Sequence, residues 1–160
     1  DWEPLAAGMS DHGWLDLTNT HVNWTVGGRL ISVKGVDDPH IARDDYEGIR
    51  GSFNSEADLS LGVVHAPYLR VLDAMAADNA QLILAGHTHG GQLRVPGYGA
   101  LVTNCDLDPK RARGLSQHRN SALHVSAGLG CSRYAPFRFA CPPEATLITL
   151  TSRISSQLTR

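Results

Sequence analysis

The segment Leu59-Ser60-Leu61-Gly62-Val63-Val64-His65-Ala66-Pro67, followed one helix further on by Gln81-Leu82-Ile83-Leu84-Ala85-Gly86-His87-Thr88-His89-Gly90-Gly91, decides the fold. Each apolar run is short, bounded and rich in branched residues, as in a strand buried on both faces. Pro67 suits the first turn of a helix running to about Asp78. Leu69, Leu72 and Ala76, with Val71 and Met75 beside them, form an apolar stripe wide enough to cover a sheet. The unit is strand–helix–strand, with a histidine closing each strand. In open α/β sheets ligands bind at the carboxyl ends of the strands, so His65 and His87 are expected on one rim.

On the amino-terminal side, Leu5, Ala6, Met9 and Trp14 fall near helical spacing, and Gly13 can end that helix. Leu15-Asp16-Leu17-Thr18-Asn19 is strand-like, and residues 20–24 give a further β candidate. Gly27-Gly28 marks a turn before Arg29-Leu30-Ile31-Ser32-Val33-Lys34-Gly35-Val36. There Ile31, Val33 and Gly35 alternate with more polar residues, as in a half-buried strand. Asp37-Asp38-Pro39-His40 reads as a strand-end turn, and residues 41–58 as a loop with one helical turn. Beyond the centre, residues 92–96 read as a short strand, 104–120 as a polar loop, and 122–126 and 146–151 as alternating strands. The domain is expected over 1–151, with a polar tail at 152–160 that frays.

The whole chain bounds this reading. It has 160 residues, 42% of them hydrophobic and 19% charged, enough for one domain with a real core. A net charge of −2 gives no basic field for nucleic acid, and no apolar run approaches a bilayer span. Asp1-Trp2-Glu3-Pro4 has neither an initiator Met nor a signal-peptide layout, so the start reads as a cut within a longer protein. The compartment stays open between the cytoplasm and a membrane surface reached through an upstream segment. Cys105, Cys131 and Cys141 form no C-x-x-C pair. They read as free thiols, with a Cys131–Cys141 bridge as the alternative.

The chemistry lies in His87-x-His89. Glycines at 86, 90 and 91 let the backbone bend and approach a ligand closely. Neutral imidazoles bind zinc, iron or manganese, and a metal at such a rim can activate water. His12, His21, His118 and His124 lack ligand spacing. Lys110, Arg111 and Arg113 read as a solvated loop face, and Glu144 as a residue ordering the turn before the last strand.

Gly86-His87-Thr88-His89-Gly90-Gly91-Gln92 resembles the last motif of the calcineurin-like metallophosphoesterases, and Val63-Val64-His65-Ala66-Pro67 the motif before it. Val36-Asp37-Asp38-Pro39, Ser126-Ala127-Gly128-Leu129-Gly130, Pro136-Phe137-Arg138-Phe139 and Cys141-Pro142-Pro143-Glu144 are similar to the bacterial subfamily with that signature. The resemblance runs from about Trp14 to Leu150. It implies an α/β fold, the C-terminal part of a four-layer α/β/β/α sandwich. It also implies two divalent ions in the complete enzyme, manganese, iron or zinc. His65 and His87 would hold one and His89 the other.

The family's D-x-H, G-D-x-x-D and G-N-[HD] motifs do not precede His65. Asp38-Pro39-His40 matches D-x-H by letters but comes too late in the order, so it reads as a turn. A fragment of this kind is expected to hold at most one ion weakly, to show little activity alone, and to self-associate through exposed sheet surface. Asp37 and Asp38 are candidates for the substrate side of the site, against a turn held by their own side chains. Arg138 is a candidate phosphate contact, against a structural arginine. The implied substrate is a phosphorylated small molecule or a lipid-like phosphodiester. Two other readings stay open: a mononuclear zinc hydrolase on three histidines, and a non-catalytic metal-binding or interaction module.

Overall fold

The computed structural model of the protein describes residues 3–132 and 134–151. The tail expected at 152–160 lies outside them. Helix α1 spans Glu3–Asp11 and buries none of its residues. Strands β1 (Thr20–Val26) and β2 (Arg29–Gly35) pair antiparallel across the Gly27-Gly28 turn. Strand β3 (Leu59–Val64), helix α2 (Leu69–Ala77) and strand β4 (Leu82–Ala85) form the expected crossover unit. A two-stranded ribbon of β5 (Arg94–Val95) and β6 (Gly99–Ala100) follows, and then the hairpin of β7 (Gly114–His118) and β8 (Ser121–Val125).

The six long strands form one sheet in the order β1-β2-β3-β4-β8-β7. Strands β2, β3, β4 and β8 run parallel, flanked by the antiparallel edges β1 and β7. The fold class is α/β, as read from the sequence. Helix α2 lays Val71, Leu72 and Met75 on one face of this sheet, against Val64, Ile83, Ala85, Leu123 and Val125. Gly62 is where β3 meets the helix, since a Cβ there would come within 2.6 Å of the Met75 sulfur. Leu72, Ile83 and Leu123 are fully buried, each stabilising the fold by roughly 1.5–3 kcal/mol.

The opposite face of the sheet carries Trp24, Ile31, Val33, Leu61, Val63 and Leu84 in register. Leu61, Val63 and Leu84 are only half-buried there, and Trp24 remains 45% exposed. Trp14, Leu15 and Leu17 line a shallow groove with Trp24, Leu61 and Val63, covering this face in part. Among the described residues no helix is long and apolar enough to cross a membrane.

Two strand expectations differ from the structure. Residues 15–19 do not extend, because Asp16 accepts the Thr18 N–H at 2.8 Å and Asn19 turns left-handed at φ 47°. Residues 146–151 are irregular, with Leu147 93% exposed. An alternating pattern forms a strand only where a neighbour satisfies its backbone groups, and no strand among the described residues pairs with this one. Helix α2 starts two residues after Pro67, and the three cysteines are free thiols.

Candidate functional site

The parallel register Val63↔Leu84, Val64↔Ala85 brings the ends of β3 and β4 level. The next pair continues it, as Gly86 N–H donates to the His65 carbonyl at 2.9 Å. His65 therefore leaves its strand beside the turn that carries His87. His87 and His89 are themselves left-handed, at φ 66° and 49°, and Gly90 and Gly91 follow at 66° and 82°. Such a turn needs fixing from outside. Thr88 supplies part of it, donating its hydroxyl to the Ala112 carbonyl at 2.6 Å and accepting the Gly90 N–H. Arg94 donates to the Gly90 carbonyl at 2.8 Å, and the Gln92 side chain bridges to Ala135 and Ser132.

The rings of His65 and His87 meet edge to face, centroids 5.1 Å apart, with His87 Nδ1 3.3 Å from His65 Nε2. His87 Nε2 lies 3.1 Å from the Asn104 carbonyl oxygen. A carbonyl only accepts, so neutral His87 carries its proton on Nε2 and turns the Nδ1 lone pair toward His65. Burial pushes the His87 pKa down, and the neighbouring His65 and His40 add to this, against the hydrogen bond to Asn104. The ring is thereby kept as a neutral ligand or proton acceptor.

The structure adds a third ring, since the centroid of His40 lies 4.5 Å from that of His87. His40 Nδ1 reaches the Tyr68 hydroxyl at 3.1 Å, and that hydroxyl donates to the Asn104 carbonyl at 3.2 Å. One carbonyl thus accepts from both Tyr68 and His87. Asp38-Pro39-His40 forms the turn expected from sequence, capped by Asp38, which accepts the His40 N–H at 2.9 Å. The missed signal was that β2 is parallel to β3, so its carboxyl end delivers His40 to the same rim.

Asp37 accepts the Asp38 N–H at 2.7 Å and pairs with Arg43 at 3.0 Å, so both aspartates hold the turn. His89 points its Nδ1 at the Gly130 carbonyl, 3.2 Å away, apart from the His65–His87 contact. Arg138 donates to backbone carbonyls, including that of His89 at 3.0 Å. Among the described residues no three His, Cys, Asp or Glu side chains converge at ion-binding spacing.

Comparison with known proteins gives the chain a family. The chain is 34% identical over 125 residues to the uncharacterized metallophosphoesterase YkuE of Bacillus subtilis, covering 78% of this chain and 42% of that relative. It is 30% identical over 148 residues to the uncharacterized metallophosphoesterase YkoQ of the same organism, covering 91% and 53%. The chain belongs to the calcineurin-like metallophosphoesterase family. Phosphodiesterase YaeI of Escherichia coli is 36% identical over 97 residues, covering 60% of this chain and 34% of its own. The chain spans about half the length, or less, of the curated relatives it matches. No family model matches it, and no solved structure does.

Metallophosphoesterase membership implies divalent ions as the cofactor class, which the ring geometry can test. Two nitrogen ligands about 2.0–2.1 Å from a tetrahedral ion lie roughly 3.3–3.4 Å from one another. His65 Nε2 and His87 Nδ1 are 3.3 Å apart. The pair fits two positions of one ion, and the described residues bring no carboxylate to complete it.

Proposed function

We propose that the chain carries the histidine side of a metal-dependent phosphoester hydrolase centre. The observation that supports this is the His65–His87 nitrogen pair at the ends of two adjacent parallel strands. His65 Nε2 and His87 Nδ1 would hold one divalent ion, and His89 would serve a second. When bound, such ions supply Lewis acidity and an activated water for attack on phosphorus. The chain's own residues prepare for this. Burial keeps His87 neutral, the Asn104 carbonyl aims its lone pair, and the Asp38-capped turn sets His40 against the ring. The substrate class is a phosphoric ester, with phosphodiesters first, in keeping with the name of the relative YaeI.

Three imidazoles bring no bridging carboxylate, so the chain by itself takes at most one ion weakly and hydrolyses little. Zinc titration by calorimetry, with bis-p-nitrophenyl phosphate turnover measured alongside, tests this. One weak site, abolished by His87→Ala, is expected. Two tight sites would overturn the one-ion limit, and binding indifferent to both His65→Ala and His87→Ala would overturn the centre itself.

A further inference from the structure

We propose that Arg138 is a positioning residue that fixes the tautomer and aim of His89. The inference rests on reading His89 as a metal ligand. His89 sits in left-handed backbone, so its ring keeps a constant direction only if the loop is held from several sides. The Arg138 guanidinium does this. Nη1 donates to the His89 carbonyl at 3.0 Å and reaches the Cys141 carbonyl at 3.4 Å. Nη2 donates to the carbonyls of Ala127 at 2.8 Å and Gly128 at 3.0 Å. Nε donates to the Gly130 carbonyl at 3.2 Å, which Nη2 also approaches. The five N–H groups of a guanidinium thus all have carbonyl partners on three chain segments, and none is left for a phosphate oxygen. The phosphate contact considered for Arg138 from sequence gives way to a clamp.

The clamp reaches the imidazole through Gly130. That carbonyl oxygen accepts from Arg138 and lies 3.2 Å from His89 Nδ1. A carbonyl cannot donate, so neutral His89 carries its proton on Nδ1 and keeps Nε2 as the free lone pair. Ligating histidines commonly give their second ring N–H to a backbone carbonyl, and losing that partner weakens metal binding about 10–100-fold. Cys141 supports the same segment, its thiol packing 3.4 Å from the His89 carbonyl. A lysine at 138 could not reproduce the planar spread of donors.

The test is the tautomer, read without metal. The 160-residue chain is labelled with ¹⁵N-histidine and long-range ¹H–¹⁵N spectra are recorded above the histidine titration range, the His89 signals being assigned by their loss in His89→Gln. The unsubstituted chain should show Nδ1–H at His89. Arg138→Met should give mixed tautomers, with no rescue by Arg138→Lys and with His65 and His87 signals unmoved. The one weak zinc site expected at His65 and His87 should be unchanged in Arg138→Met, since the clamp acts on His89 alone. A proton on Nε2 in the unsubstituted chain, or undiminished Nδ1–H in Arg138→Met, would overturn the proposal. Should Arg138→Met fail to fold by circular dichroism, the unsubstituted spectrum and Arg138→Gln decide it on the same criteria. If the Nδ1–H tautomer depends on Arg138 but no zinc binds, the hydrolase reading falls and the clamp stands.

Discussion

Removing the carboxylate at Asp78 should cost far more than removing the lysine it neutralises. Lys34 sits on β2 with its side chain 1% exposed, its ammonium 2.9 Å from Asp78 Oδ2. The ammonium also donates to the Gly51 carbonyl and lies 4.8 Å from the Phe53 ring centre and 5.5 Å from that of Tyr46. Asp78 accepts further hydrogen bonds from the Tyr46 hydroxyl at 2.8 Å and the Gly51 N–H at 2.9 Å. Asp78→Ala leaves a buried cation facing one carbonyl and two ring faces. Breaking a buried pair from one side costs about 3–5 kcal/mol. Against a total stability of roughly 5–15 kcal/mol, that is a large fraction, and at about 2–4 °C per kcal/mol the melting temperature should fall by about 6–20 °C. Lys34→Met removes the charge but keeps the apolar stem, and Asp78 retains two donors, so its cost should stay below about 2 kcal/mol. Urea unfolding followed by far-ultraviolet circular dichroism measures both. The reasoning is refuted if Asp78→Ala costs under about 1 kcal/mol, or if Lys34→Met is the more damaging change.

Other expectations follow from the same geometry. Gly91→Ala would place a Cβ 2.1 Å from that of Ala100 at φ 82°, so about 2–4 kcal/mol of stability should be lost, read by thermal melting. The Asp73 pKa is pulled down to about 2, first by the hydrogen bond from Arg119, with His118 and the Arg119 charge helping to outweigh an opposing desolvation. That of Asp78 is pushed up by burial, but Lys34, Tyr46 and Gly51 outweigh this and the net shift is downward. Depressed carboxylates stabilise the fold fully above the ordinary carboxylate value near 4 and lose that contribution as pH falls through their folded values. Melting temperature should therefore drop steeply from pH 4 toward 2, and Asp73→Asn should flatten the slope. Asp73 is 41% exposed, so its share should stay under about 1 kcal/mol. Sedimentation should show self-association through the Trp24–Leu61 face, weakened by Trp24→Ser, and a strictly monomeric chain would count against it.

The crossover unit was legible because both strands are short apolar runs closed by His65 and by Gly86-His87, and its boundaries hold to within about two residues. Residues 15–19 misled because their apolar alternation competes with side-chain hydrogen bonding. The Asn19 side chain accepts the N–H groups of Asp37 and Asp45 and serves as a knot between loops. Lys34 falls at a polar position of the β2 alternation, yet it is buried like Val33, since the acid that neutralises it lies 44 residues away and leaves no local trace. His40 was hidden for a similar reason. Its role depends on which strands are neighbours, and sheet order is a tertiary property.

Among the described residues one helix covers one face of a six-stranded sheet, and this has a thermodynamic signature. Unfolding uncovers less apolar area than the chain length suggests. The heat-capacity increment should fall below the usual value of about 12–15 cal/mol/K per residue, and the denaturant transition should be correspondingly broad. Any surface that seated itself on Trp24, Leu61, Val63 and Leu84 would sharpen that transition and move its midpoint upward in the same stroke.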